Sequence, residues 1–168
     1  MYKIIYFLIV IFVLFTTNNG FAQNSNSLSV TDRNPVALNM STLTSAGMNN
    51  EIILDNSQWM NYAVETNPSE PYTSISVAIT AGSVPPGIEI YLEAGFNHGS
   101  GYGKTGRPTG KIHLNNSPKV LINEIGSSNT GRGKHRGHRL TMSMVITDFS
   151  LLQPGDYSLY ILYTLAQQ

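Results

Sequence analysis

Hydrophobic and polar residues alternate along most of this chain, and no segment holds a helical 3.6-residue period for long. Residues 73–80 place Ile75, Val77 and Ile79 on one face and Ser74, Ser76 and Ala78 on the other. Residues 88–94 set Ile88, Ile90, Leu92 and Ala94 against Glu89, Tyr91 and Glu93. Residues 140–147 set Leu140, Met142, Met144 and Ile146 against Thr141, Ser143, Val145 and Thr147. Each pattern is that of a half-buried strand. Weaker strand patterns cover 28–31, 35–41, 51–54, 58–65, 111–114 and 118–125. The segment Tyr157 to Leu165 carries Tyr157, Leu159, Ile161, Tyr163 and Leu165 on one face, with Tyr160 and Leu162 on the other. That predicts a strand inside a sheet, both sides partly covered. Turn signals separate the segments at Asn67-Pro68, Val84-Pro85-Pro86-Gly87, Asn115-Asn116-Ser117-Pro118 and Gln153-Pro154-Gly155. The prediction is an all-β fold, a single antiparallel β-sandwich of about eight or nine short strands. Thr42 to Asn50 reads as irregular chain, and Asp148 to Leu152 as a single helical turn.

The amino terminus departs from this rhythm. Lys3 precedes an unbroken apolar run from Ile4 to Phe15, followed by a polar stretch ending Gly20-Phe21-Ala22. A charged start, an apolar run of about a dozen residues and small residues before the cut predict a secretory signal peptide, 1–22. The run falls short of the roughly 20 apolar residues that a membrane span needs. Cleavage after Ala22 would start the mature chain at Gln23 and place it in the periplasm, on the outer surface or outside the cell. No membrane span is expected in that mature chain. It would comprise an N-terminal extended segment, 23–50, and a β-sandwich domain, 51–168, whose first strand can begin near residue 28. Export also disfavours ATP-driven chemistry.

The chain has no cysteine, so packing and strand pairing must hold the fold without disulfides. Ten basic and ten acidic residues cancel overall but are unevenly spread. From Gln23 to Gly95, Asp32, Glu51, Asp55, Glu65, Glu70, Glu89 and Glu93 stand against Arg33 alone. From Phe96 to Arg139, Lys104, Arg107, Lys111, Lys119, Arg132, Lys134, Arg136 and Arg139 stand against Glu124 alone. Such asymmetry can steer copies toward each other or toward an anionic partner; scattered solvated charges give the same count.

Two glycine-rich stretches, Gly95 to Gly110 and Gly126 to Gly137, read as long loops. Gly101-Tyr-Gly103-Lys-Thr-Gly106 matches G-x-G-x-x-G, but Arg107-Pro108-Thr109-Gly110 follows and cannot open the helix a phosphate site requires. Arg132, Lys134, Arg136 and Arg139, with His135 and His138, form a basic cluster without an acid from Gly126 to Arg139. Such a cluster suits an anionic polysaccharide, a lipid phosphate or a nucleic acid. Nucleic acid is disfavoured, because no aromatics are interleaved for base stacking.

The four histidines, His98, His113, His135 and His138, lack the ligand number and spacing of a zinc site and read as exposed loop residues. Glu89 and Glu93 lie on one strand face, about 13 Å apart, too far for a glycosidase pair. No serine sits in G-x-S-x-G. No cofactor, metal or catalytic residue is expected. Trp59 falls on the more polar side of its strand, yet a covering layer would bury it, and core packing is the favoured reading.

Several pieces carry a resemblance: Ser57-Gln-Trp-Met-Asn-Tyr62, Ile79-Thr-Ala-Gly-Ser-Val-Pro-Pro-Gly-Ile88, Ile125-Gly-Ser-Ser-Asn-Thr-Gly131 with Gly137-His-Arg-Leu-Thr141, and Pro154-Gly-Asp-Tyr-Ser158 through Tyr163-Thr-Leu165. Together they resemble uncharacterised secreted β-sandwich proteins of Bacteroidetes-type bacteria and, more distantly, fimbrial subunits and spore-coat-protein-U-like domains. The resemblance implies an immunoglobulin-like or pilin-like sandwich and a role in surface assembly. Pilin-like and coat-U domains often carry a disulfide, which this chain cannot form. Donor-strand exchange needs an alternating N-terminal extension; Leu28, Val30, Val36, Leu38 and Met40 supply one, interrupted by Asp32-Arg33-Asn34-Pro35.

The expected function is that of an exported, non-enzymatic structural or adhesive surface subunit, pilus-like, in which residues 24–41 pair with the open edge of another copy. The alternative is a module for glycans or another anionic polymer. Its contacts would be Tyr102, Lys104, Arg107, Arg132, Lys134 and Arg136, on two loops at one end of the sandwich. A hydrolase is the third reading, with no constellation behind it. Partners would be further copies, other surface subunits or a glycan, and not nucleic acid.

Overall fold

The computed structural model describes residues 26–31, 51–153 and 157–167. Ten strands run β1 (Ser27–Thr31), β2 (Glu51–Asp55), β3 (Trp59–Val64), β4 (Thr73–Gly82), β5 (Ile88–His98), β6 (Tyr102–Pro108), β7 (Ile112–His113), β8 (Lys119–Asn129), β9 (Gly137–Ile146) and β10 (Leu159–Gln167). A 3₁₀ turn at Phe149–Leu151 separates the last two, and the Asp148 side chain accepts from the Ser150 backbone N–H at its start. The helical turn read at 148–152 is therefore present. No helix among the described residues is long and apolar enough to cross a membrane. The predicted leader, the strand candidate 35–41 and the irregular stretch 42–50 lie outside the described residues, whereas the candidate 28–31 is β1.

All pairings are antiparallel. The sheet folds over into a sandwich-like all-β body, with β10–β4–β8–β6 on one side and β2–β9–β5–β7 on the other. β3 joins them, because one of its edges meets β8 at Ala63 and Val64 and then β9 at Trp59 and Met60. β1 covers its other edge. Alternation decides which side chains enter the core. Ile75, Val77 and Ile79 of β4, Ile88, Ile90, Leu92 and Ala94 of β5, and Leu140 and Met144 of β9 form one buried cluster with Met60, Tyr62 and Val64 of β3.

β8 breaks the period. Its adjacent residues Leu121 and Ile122 are both fully buried, which a regular strand cannot achieve on one face. Register shifts near these residues and the left-handed backbone of Glu124 (φ 55°) supply the irregularity. The strand thereby passes from β4 at one end to β3 at the other, carrying the sheet around the core.

Three expectations need correction. The stretch Gly95–Gly110 is not a loop: β5 continues to His98, and Tyr102–Pro108 forms β6, paired along β8. β6 mixes glycine with polar residues, so it has no hydrophobic alternation to read; backbone pairing with β8 makes it a strand. β8 likewise runs to Asn129, shortening the second glycine-rich loop to residues 130–136. Finally, β10 is not inside a sheet. It pairs only with β4 among the described residues, and Tyr160 and Leu162 are 65% and 53% exposed.

Candidate functional sites at the loop end and the β10 edge

The β5–β6 tip and the β8–β9 connection pack against each other at one end of the molecule. His98 Nδ1 lies 3.1 Å from the His135 carbonyl oxygen. The indole of Trp59, 7% exposed, lies edge-on between the His98 and His135 rings, at centroid distances of 5.8 and 5.4 Å. Trp59 is thus buried as favoured, though under this loop end rather than within the main cluster.

Strand β3 pins the β8–β9 connection from below. Buried Asn61 accepts from the Gly133 backbone N–H at 3.0 Å and donates through Nδ2 to the Arg136 carbonyl at 2.6 Å. Thr130 accepts from the Tyr62 N–H through Oγ1 and donates its own N–H to the Tyr62 carbonyl. Asn129 Oδ1 accepts from the Gly131 N–H at 2.8 Å, an Asx turn. His135 is left-handed at φ 62°, a backbone state that costs a non-glycine residue about 1–2 kcal/mol.

The six sequence-predicted contact residues divide. Tyr102, 70% exposed, pairs with Asn129 at the entrance to the connection that carries Arg132, Lys134 and Arg136, all exposed. Lys104 and Arg107 lie further along β6 and face Glu124 at 3.7 and 3.8 Å, with Lys104 Nζ also 3.4 Å above the Tyr72 ring. The structure therefore brings four of the six together and pairs the other two with an acid. Arg139, the fourth member of the basic run, donates to the Asn56 carbonyl at 2.6 Å.

His138 is not an exposed loop histidine. It sits on β9, fully buried. Its Nδ1 is 2.8 Å from the Gly95 carbonyl, and Nε2 is 2.8 Å from Tyr62 Oη and 3.2 Å from the Thr105 carbonyl. The Tyr62 hydroxyl also donates to the Thr105 carbonyl, and the two rings stack at 5.6 Å. Burial holds the His138 imidazole below its ordinary value, against the two carbonyl contacts, which pull upward. Burial likewise pushes the Tyr62 phenol up. Asn61 and this dyad were invisible as site residues, because a polar residue on an alternating strand signals solvent unless the layer above it is known. Among the described residues, no group of three or more His, Asp or Glu is arranged to hold a metal.

A second surface lies along the sheet edge. The outer side of β10 pairs with no strand among the described residues, nor does the outer side of β1. Near the end of β10, Leu165 and Gln167 share a cleft with Asn26 and Glu70, and Gln167 Nε2 donates to Glu70. No charged residue occurs in Ser27–Thr31 or Leu159–Gln167. The core-facing row of β10, Leu159, Ile161, Tyr163 and Leu165, is only half-buried against the cluster. No protein-family model, curated protein or solved structure matches this chain.

Proposed function

We propose that the chain is an exported, non-enzymatic structural or adhesive surface subunit that assembles by strand pairing, with the β10 edge accepting a strand from a neighbouring copy. The observation that carries this reading is an edge of nine residues with no charge and no proline, beside a half-covered apolar row. Monomeric proteins blunt such edges with lysine, proline or a covering element. β10 has one register shift, between Tyr160 and Ile161, and none of the others among the described residues.

The donor segment expected from sequence was 24–41. Ser27–Thr31 already pairs with β3 of its own chain, so the donor is narrowed to residues 34–41. Val36, Leu38 and Met40 alternate there without a charge, although these residues lie outside the described ones. Val36, Leu38 and Met40 would lie beside Leu159, Ile161, Tyr163 and Leu165 of the accepting copy. Backbone hydrogen bonds supply affinity in strand addition, and the alternating side chains supply register.

The test is sedimentation velocity over a concentration series on the mature chain. Wild type should assemble with rising concentration, and Tyr160→Lys/Leu162→Lys should remain monomeric. Both positions are exposed, so the variant should keep the wild-type unfolding midpoint. Wild type that stays monomeric throughout, or a folded variant that assembles as wild type does, would refute the reading.

A further inference from the structure

The basic loop end plays no part in the edge pairing above. We propose that it is a binding site for an anionic polysaccharide, with Arg132, Lys134 and Arg136 reading carboxylate or sulfate groups and Tyr102 stacking on a sugar ring.

Charge distribution is the first support. Other cations of the basic half are matched within the fold: Lys104 and Arg107 with Glu124, Lys111 with Glu51 at 2.5 Å, Lys119 with the His113 carbonyl. Among the described residues, no carboxylate lies within ion-pair distance of Arg132 or Arg136. The two segments that build this end, 97–102 and 130–138, contain no acid at all. Arg132 and Arg136 therefore carry like charge side by side without an acid among the described residues, and an anionic ligand relieves their repulsion.

The second support is that the cations stand on fixed backbone. Asn61 holds the connection at Gly133 and at Arg136, Thr130 holds its start, and the Arg136 side chain lies across Gly131. His135 keeps a left-handed conformation there, and such strain clusters at ligand sites. A pre-formed loop loses less conformational entropy on binding than a mobile one does.

The third support is the choice of aromatic. Tyr102 and Phe96, on the strands that lead into this end, are exposed, while Trp59 is enclosed by two histidines. Tyr102, paired with Asn129 at the start of the β8–β9 connection, can stack on a sugar ring beside the charges. A single-stranded nucleic acid is held by successive stacked bases, for which the connection 130–136, with His135 as its one ring, offers no run.

The test uses the mature chain in calorimetric titrations with heparin, polygalacturonate, neutral dextran and single-stranded DNA at several salt concentrations. Heparin or polygalacturonate should bind, with dextran silent and DNA weaker. The slope of log affinity against log salt should fall by about two in Arg132→Ser/Arg136→Ser. Lys104→Ser/Arg107→Ser is the control: it changes net charge at an already paired site and should leave affinity within about twofold of wild type. Equal loss in both variants would mean general charge attraction and would overturn the site. Tighter binding of DNA, or no binding of either polyanion, would overturn it as well. The edge variant Tyr160→Lys/Leu162→Lys should bind as wild type does, so failure of either proposal leaves the other readable.

Discussion

Replacing His138 by glutamine should remove a defined part of the protein's acid sensitivity. Both ring nitrogens face a carbonyl, which only accepts; Gly95 at 2.8 Å from Nδ1 is closer than Thr105 at 3.2 Å from Nε2, and Nδ1 is the better-placed donor of the neutral imidazole. Nε2 then has no proton to give the Thr105 carbonyl, and the single Tyr62 hydroxyl proton can serve Nε2 or that carbonyl but not both. Protonation would let Nε2 donate, which those oxygens favour, but it would bury a charge among β3, β5, β6 and β9. The partners from those strands are the neutral Tyr62, Gly95 and Thr105, and none offers a compensating anion. Burial is the larger influence, and the folded-state value is lowered from 6.5. The sign follows. Unfolding releases an ordinary imidazole, so the unfolded state binds more protons below about pH 6.5, and stability falls as pH drops toward the folded value. Above about pH 7.5 neither state is appreciably protonated and the contribution is nearly complete. Between about pH 7.5 and 5.5 the loss cannot exceed about 1.4 kcal/mol, the worth of one pKa unit.

Urea denaturation of wild type and His138→Gln at both pH values measures it. Glu51, Glu70 and Asp148 also have lowered values, through exposed hydrogen bonds, and their contribution cancels in the difference. Wild type should lose more stability than the variant on acidification, by up to that limit. The imidazole resonance of His138 in intact wild type gives a direct reading if the variant folds poorly. A wild type that gains stability relative to the variant at pH 5.5 would refute the reasoning, because the oxygens would then outweigh burial.

Two further perturbations address the framework. Gly137→Ala and Gly110→Ala both place an L-residue at positive φ, 76° and 91°. A Cβ at Gly137 would overlap the Met60 carbonyl oxygen, whereas one at Gly110 meets nothing within 4 Å. Gly110→Ala should cost about 1–2 kcal/mol, and Gly137→Ala at least about 1–3 kcal/mol more; equal denaturation midpoints would contradict the close approach of β9 to β3. Asn61→Ala should cost about 1–3 kcal/mol through two unpaired backbone groups. It should also speed trypsin cleavage after Arg132, Lys134 or Arg136, and unchanged cleavage would show that Asn61 does not hold the connection.

Strand identity was legible wherever one face meets the core and the other meets water, as in β4, β5 and β9. It failed where order comes from something other than hydrophobic contrast. β6 includes Gly103, Lys104, Gly106 and Arg107, and what orders it is backbone pairing with β8 rather than hydrophobic contrast, so its own residues do not announce it. β10 misled in the opposite way. Apolar residues on both its faces read as two-sided burial, and they stand instead at an exposed edge. The grouping of the two glycine-rich stretches at one end was legible, but which cations are neutralised was not. Glu124 meets Lys104 and Arg107 across the β6–β8 pair, at a left-handed position of β8 that no local pattern signals.

The same reasoning explains why β3 matters more than its six residues suggest. Its inward side chains, Met60, Tyr62 and Val64, belong to the core, while Trp59 and Asn61 point the other way and are buried by the loop end. Both faces are covered, one by packing and the other by hydrogen bonds and ring contacts. A loop anchored on a strand of the main core cannot loosen without exposing that strand, so the cations at the loop end inherit the stability of the fold. The β10 edge has no such anchor, having only β4 beside it among the described residues and half-buried side chains beneath. A rigid, strongly charged end suits recognition without reorganisation. An uncharged edge with an incomplete cover gains most from an added strand, because both its open hydrogen bonds and its apolar row are satisfied in one step.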